Sequence, residues 1–241
     1  MDIKIIVAAH KPYAMPTGEM YLPVFVGAAN SDLDLPYRRD DEGDNISSKN
    51  DLYCELTAVY WAYKNLQADY IGLNHYRRYF KGKDKYLSQS EAENLLQRSS
   101  VILPVKRHYY IETVYEQFVH SHGKESLDAA RKVIKEDYPE YLSSFDMVMK
   151  RRSLHLYNMM IMRKDIFDDY CSFLFDVLAK VEGRIERKER ILGFLAERLM
   201  DVYIETRKIE YQEVFIYNTE VIDWPKKIFS FLKKKITYRG E

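Results

Sequence analysis

The chain has 241 residues, 46% of them hydrophobic, and its 37 basic and 37 acidic side chains cancel to a formal charge of zero. That length fits one domain with apolar residues enough for a sizeable core, and the charge balance argues against a dedicated nucleic-acid binder, which carries a basic excess. Two isolated cysteines, Cys54 and Cys171, provide neither a disulfide framework nor zinc-ligand spacing and point to a reducing compartment.

Met1-Asp2-Ile3-Lys4 leads straight into an apolar run, without the basic and long apolar regions of a signal peptide. No stretch reaches the ~20 apolar residues of a membrane span, so the expectation is a cytoplasmic protein, free or docked on the inner face of the cell membrane. Residues 3–9, Ile-Lys-Ile-Ile-Val-Ala-Ala, form a short, largely apolar run rich in β-branched residues, as in a buried parallel strand, and stop at His10-Lys11-Pro12. A second strand is predicted over 24–28. Residues 30–50 hold six acids and read as a loop, with Ser47 or Ser48 as N-cap of a helix over about 51–65. Strands are expected at 70–73, 101–104, 156–162 and 214–217. Helices are expected at 88–98, across 111–145 with breaks near Gly123 and Pro139, and at about 165–181 and 187–205. The early alternation of strand and helix predicts a mainly parallel α/β sheet flanked by helices, with a helical C-terminal part. Ligands bind such sheets at the carboxyl ends of the strands, which singles out His10 and Lys11, His75 to Arg78, and Arg163 and Lys164.

The strongest local signal is His75-Tyr76-Arg77-Arg78-Tyr79-Phe80. Guanidinium groups contact phosphate oxygens bidentately, and fixed cations stabilise a departing diphosphate as its charge grows; an exposed basic turn paired with Asp69 or Asp84 is the plainer alternative. Asp44, Asn45, Ser47 and Asn50 precede a helix N-terminus, where they serve as caps or bind phosphate and sugar hydroxyls. His10 and Lys11 either form a solvated turn or touch a nucleotide. Glu55 is a helix-surface acid or a partner of Arg77 or Arg78. Glu197 and Arg198 interrupt an apolar helical stretch, so the carboxylate is either ion-paired in the core or a catalytic group with a tuned pKa. His120 and His122 stand two apart and do not share a helix face, which excludes a metal pair while leaving one of them free to meet a substrate. The 21 tyrosines suit stacking on sugar rings as well as lining a core rim. Residues 221–241 form a basic amphipathic tail beyond a domain spanning 1–220, and Pro225 to Ile236 suits an anionic membrane surface or packing on its own domain.

Several of these pieces together are familiar. His10-Lys11-Pro12, Gly43-Asp44-Asn45-Ile46-Ser47, Glu55-Leu56-Thr57-Ala58 with Tyr60-Trp61 and Lys64-Asn65, and Gly72-Leu73 with His75 to Phe80 resemble a bacterial capsular and exopolysaccharide biosynthesis family first catalogued as a domain of unknown function. Some of its members are assigned as galactofuranosyltransferases. Asn158-Met159, Tyr170-Cys171 and Gly193-Phe194 with Glu197-Arg198-Leu199 extend the resemblance to about residue 205. It implies a GT-A-like fold and transfer of a sugar, galactofuranose in some members, from a UDP-sugar to a growing, lipid-linked oligosaccharide acceptor. For UDP-galactofuranose users an inverting reaction is expected, which needs one general base: Glu197 first, His120 second, His75 third. The donor and acceptor would meet His10, Lys11, Asp44, Asn45, Ser47, Asn50, Glu55, His75, Arg77, Arg78, Asn158 and Arg198. Many nucleotide-sugar enzymes hold Mg²⁺ or Mn²⁺ through two closely spaced aspartates. Asp32-Leu33-Asp34 has that spelling but sits in an acidic loop, while His75 to Arg78 occupy the place expected for the motif. Activity without a divalent metal or other cofactor is therefore expected. A non-catalytic glycan-binding module is the alternative.

Overall fold

A computed structural model describes residues 1–186 and 188–220. The first strand is β1 (Ile3–Ala9) and the second is β2 (Tyr21–Phe25), followed by β3 (Arg38–Arg39). A 3-10 turn at Ser47–Lys49 opens into α1 (Asn50–Tyr53) and α2 (Leu56–Asn65). Strand β4 (Tyr70–His75) turns back into β5 (Arg78–Phe80). Helix α3 (Gln89–Leu96), strands β6 (Val101–Pro104) and β7 (Arg107–His108), and helices α4 (Val114–His122), α5 (Glu125–Asp137) and α6 (Leu142–Lys150) follow. The chain continues through β8 (Ser153–Leu154), β9 (Met160–Arg163), α7 (Lys164–Glu182), α8 (Ile191–Arg207), β10 (Gln212–Val214) and β11 (Ile216–Asn218). Ser88 and Thr113 start α3 and α4 with reciprocal capping boxes to Glu91 and Glu116.

Among the described residues the main sheet runs β10-β6-β9-β4-β1-β2-β3, with β5 pairing both β4 and β11. The β1–β4, β1–β2, β2–β3 and β6–β10 pairings are parallel, and β9 lies antiparallel between β4 and β6. This is the expected α/β architecture. Side chains alternate across the sheet, so each strand feeds two cores. Ile6, Ala8, Ile71, Leu73 and Met160 pack with α2 and α5 to α8 on one face. Ile5, Val7, Tyr70 and Ile161 pack with Tyr79, Phe80 and the α3 residues Ala92 and Leu96 on the other.

Several expectations shift. The strand expected at 24–28 ends at Phe25 because the buried Asp40 carboxylate accepts the backbone N–H groups of Gly27 (2.9 Å) and Ala28 (3.1 Å). Ser47 does not cap a helix; its hydroxyl donates to Asp40 instead. The single helix expected over 51–65 breaks at Cys54, whose carbonyl accepts from Asn50 Nδ2 (2.7 Å) and Thr57 Oγ1 (3.0 Å). The late strand is shorter than 156–162, since Tyr157 and Asn158 adopt left-handed φ angles just before it. The final strand divides at Phe215. Arg163 and Lys164 do not join His10 and His75: β9 runs the other way, and Arg163 pairs with Tyr70 at the opposite end of β4. The tail read as membrane-active lies in residues 221–241, outside the described residues. Among the described residues no helix is long and apolar enough to cross a membrane.

Gly72 lets β4 and β9 meet. A Cβ there would stand 2.7 Å from the Met160 carbonyl oxygen and 2.8 Å from Ile161 Cγ1, and neither can retreat within a packed sheet. Gly72→Ala is expected to cost about 1–3 kcal/mol, read as a lower urea midpoint; an unchanged midpoint would mean that the two strands part readily.

Candidate functional site

Strands β1 and β4 are parallel neighbours, and their carboxyl ends open on one cleft of about 430 Å³. Beyond β1 stands His10; beyond β4 the chain turns through Tyr76 and Arg77 into Arg78. Tyr76 is buried, with its ring ordering the cations around it: Arg77 lies 4.9 Å and Lys11 5.5 Å from the ring centre, and His10 meets it edge-on at 5.2 Å. Burial, followed by the charges of Lys11, Arg77 and Arg190, holds the His10 imidazole below its ordinary pKa. Arg77 also reaches Glu220 at 3.1 Å, across an exposed contact.

His75 Nε2 lies 2.7 Å from the Tyr157 carbonyl oxygen. A carbonyl only accepts, so Nε2 carries the proton and Nδ1 keeps its lone pair. Burial pushes the His75 pKa down, against the opposing pull of Glu55, and the ring is held neutral. The Arg78 guanidinium stacks 4.4 Å from the Tyr157 ring centre, with its Nε buried and without a hydrogen-bond partner. No carboxylate among the described residues makes an ion pair with Arg78.

The opposite wall comes from the α1–α2 break and the start of α8. Asn158 Nδ2 donates to Glu55 Oε1 (2.8 Å) and to the Gly193 carbonyl (3.1 Å), joining both walls. Gly193 packs against the α1–α2 break: a Cβ there would sit 3.4 Å from Cys54 Sγ and from the Tyr53 carbonyl oxygen. Glu197 accepts the Tyr157 backbone N–H (2.8 Å) and an Arg198 guanidinium N–H (2.7 Å). Burial raises the Glu197 pKa, and Arg198 opposes the rise. Arg198 itself points inward, giving N–H groups to Gln117 Oε1 (2.6 Å) and the Phe194 carbonyl (2.9 Å) and covering the Phe118 ring.

Backbone strain gathers at the same place. The described residues other than glycine with positive φ are Cys54 (52°), Tyr157 (72°), Asn158 (52°), Arg190 (64°) and Lys208 (52°). Lys208 closes the C-terminus of α8; the other four line or brace the cleft. Each such conformation costs on the order of 1–3 kcal/mol, and strain of this kind concentrates at functional sites.

His10, Asn50, Glu55, His75, Arg77, Arg78 and Glu197 all line the cleft. Lys11 stands at its lip on the Tyr76 ring, and Asn158 and Arg198 form a layer behind. Four expected residues stand elsewhere. Asp44 is bonded to Asn65, Asn45 closes its own turn onto the carbonyls of Asp41 and Gly43, and Ser47 is sealed against Asp40. His120, on α4, holds buried Glu112 at 2.8 Å and does not line the cleft. Asp32 and Asp34 are exposed and do not line it either. Among the described residues no cluster of three or more His, Cys, Asp or Glu could hold a metal ion. The lining residues Asp51, Cys54, Tyr157, Glu189 and Arg190 carry no signal in the sequence; they arrive through long-range packing and left-handed backbone.

The family described as Domain of unknown function (DUF4422) matches residues 4–208. The apo structure of the WbbM bifunctional glycosyltransferase superposes with a TM-score of 0.84 at 29% identity, covering 92% of this chain and 46% of that one. This chain therefore corresponds to less than half of that protein's length. The mannosyltransferase Ktr4p of S. cerevisiae aligns at 11% identity over 89% of this chain and 61% of that one, with a TM-score of 0.33, too low a similarity to bear on the site. No curated protein matches.

Proposed function

The chain belongs to the family described as Domain of unknown function (DUF4422), and from that premise we propose that it is a glycosyltransferase that moves a sugar from a nucleoside-diphosphate donor, UDP-linked, to a hydroxyl of a growing bacterial surface glycan. The observation that carries this reading is Arg78, a half-buried cation with an unpartnered Nε and no carboxylate ion pair, fixed against Tyr157 at the carboxyl end of β4 beside Arg77. A cation taken from water without an anion is costly; a diphosphate in the cleft supplies the missing charge.

In the proposed reaction the acceptor hydroxyl oxygen attacks the anomeric carbon from the face opposite the diphosphate, its proton passes to a carboxylate, and the bond from the anomeric carbon to the diphosphate oxygen breaks with inversion. Glu197 is the proposed base, because burial raises its pKa towards the working range and it lines the cleft. Its bonds to Tyr157 N–H and Arg198 fix its orientation. Neutral His75, with the Nδ1 lone pair, and Glu55, tethered by Asn158, are placed to receive sugar hydroxyls. Charge growing on the leaving diphosphate falls to Arg77 and Arg78, with guanidinium in place of a divalent ion. Galactofuranose as the donor sugar, a lipid-linked acceptor, and membrane attachment through a tail beyond a 1–220 catalytic domain complete the proposal.

A nucleotide-sugar screen with and without EDTA tests it. UDP is expected to raise Tm by mass action on the native state, EDTA to leave that shift intact, and a UDP-sugar to turn over when acceptor is present. Absence of any shift with every nucleoside diphosphate would defeat the reading, and sugar binding without turnover would favour a glycan-binding module.

A further inference from the structure

Arg190 begins α8 with φ 64° and ψ 4°, the left-handed conformation that glycine adopts without steric cost. Its backbone N–H donates to the Asp51 carbonyl at 2.6 Å, so the strained residue is locked onto α1. From there its guanidinium covers the Phe194 ring at 5.3 Å and lines the cleft beside Cys54. Cys54 offers no counter-charge, since burial and the neighbouring Glu55 push its pKa up to about 11 and the thiol stays protonated. Glu55 and Glu189 bias the field at Arg190, yet no carboxylate among the described residues makes an ion pair with it. His10 feels Lys11, Arg77 and Arg190 together. Three separate stretches of chain thus bring positive charge to one space: the end of β1, the β4–β5 turn and the start of α8.

A glycine would make this turn without strain, and an arginine held there against strain is kept for what its side chain reaches. We propose that Arg190 is a donor-binding residue, a third guanidinium that clasps the diphosphate of the nucleotide from the wall opposite Arg77 and Arg78. The proposal rests on the nucleotide-sugar reading of the cleft and adds to it a contact on the diphosphate, distinct from the nucleoside.

Calorimetric titration of the full chain with UDP and, separately, uridine tests this in the wild type, Arg190→Gly and Arg190→Lys, with melting temperatures measured alongside. Arg190→Gly is expected to melt at or above the wild-type temperature, because the left-handed strain is relieved, and to bind UDP about tenfold or more weakly. Uridine affinity should stay unchanged, and Arg190→Lys should restore part of the UDP affinity by charge without the planar fork. UDP affinity kept within about twofold in Arg190→Gly overturns the proposal, as does an equal loss for uridine, or a loss in both variants accompanied by lower melting temperatures. If the wild type binds no nucleoside diphosphate, the nucleotide-sugar reading falls and this proposal with it; if the wild type binds UDP and Arg190→Gly binds it equally, this proposal alone falls.

Discussion

Arg78→Ala is expected to remove most of the affinity for UDP, a loss of about 10²-fold or ~3 kcal/mol, the value of charge-assisted hydrogen bonds from one guanidinium. Turnover should fall further, by roughly 10²–10³-fold, because the charge on the diphosphate is greatest as the glycosidic bond breaks. The fold has little reason to suffer. Arg78 makes no ion pair among the described residues, and its buried Nε is unpartnered, so alanine leaves no carboxylate stranded. Arg78→Lys should recover only part of the loss, since lysine keeps the charge and lacks both the bidentate fork and the flat face on Tyr157. Titration calorimetry with UDP and kcat/KM with a donor found by screening measure the two effects. Wild-type UDP affinity in Arg78→Ala would remove the central support of the proposed function.

The largest loss of stability is expected behind the cleft. Arg198 and Glu197 form a pair at 2.7 Å with side chains 3% and 13% exposed. Arg198→Ala strands the buried carboxylate and also empties the space over Phe118, a loss of about 3–5 kcal/mol measured by urea unfolding. Arg198→Met fills the space and isolates the charge effect. The pH dependence follows from the raised pKa of Glu197. The folded state holds this proton more tightly than the unfolded chain, so the favourable contribution is complete below the ordinary glutamate pKa of about 4.3. It is lost as pH rises through the raised folded value. Arg198 opposes the rise, so its removal should carry that loss to higher pH. Unfolding free energies of Arg198→Met and of the double variant with Glu197→Gln, compared from pH 4 upward, should diverge with increasing pH. Parallel curves would show that the buried carboxylate does not titrate in this window.

Local chemistry made much of this legible. His75 to Arg78 stand out because an apolar strand ends in an imidazole and two guanidinium groups, and Glu197-Arg198 because charge interrupts an apolar helix; both reach the cleft or its supporting layer. What hydropathy does not encode is strand direction. Arg163 and Lys164 follow a buried run as faithfully as His10 does, yet β9 is reversed and delivers them to the far edge. Nor does it encode where tertiary contacts override the backbone. The helix expected over 51–65 contains no proline or glycine, and its break depends on Asn50 and Thr57 capturing the Cys54 carbonyl. Arg190 and Tyr157 are conspicuous only once their left-handed φ angles are known. Asp44, Asn45 and Ser47 show the converse: polar residues before a helix suggest a ligand, and here they stitch a loop together.

The reversal of β9 also brings the peptide before it to the upper rim of the sheet. Strands β6 and β10 point the same way as β4 and β1, so their carboxyl ends open on the same side as the cleft, and β9, like β5, enters from that side. The peptide leading into β9, Tyr157-Asn158, therefore comes in beside the carboxyl end of β4, where Tyr157 lines the cleft. Tyr157 faces the cleft with its carbonyl on His75 and its ring under Arg78, while its N–H rests on Glu197. A strand laid backwards thus lets one tyrosine touch both sides of the cleft, the end of β4 through His75 and Arg78 and the helix α8 through Glu197.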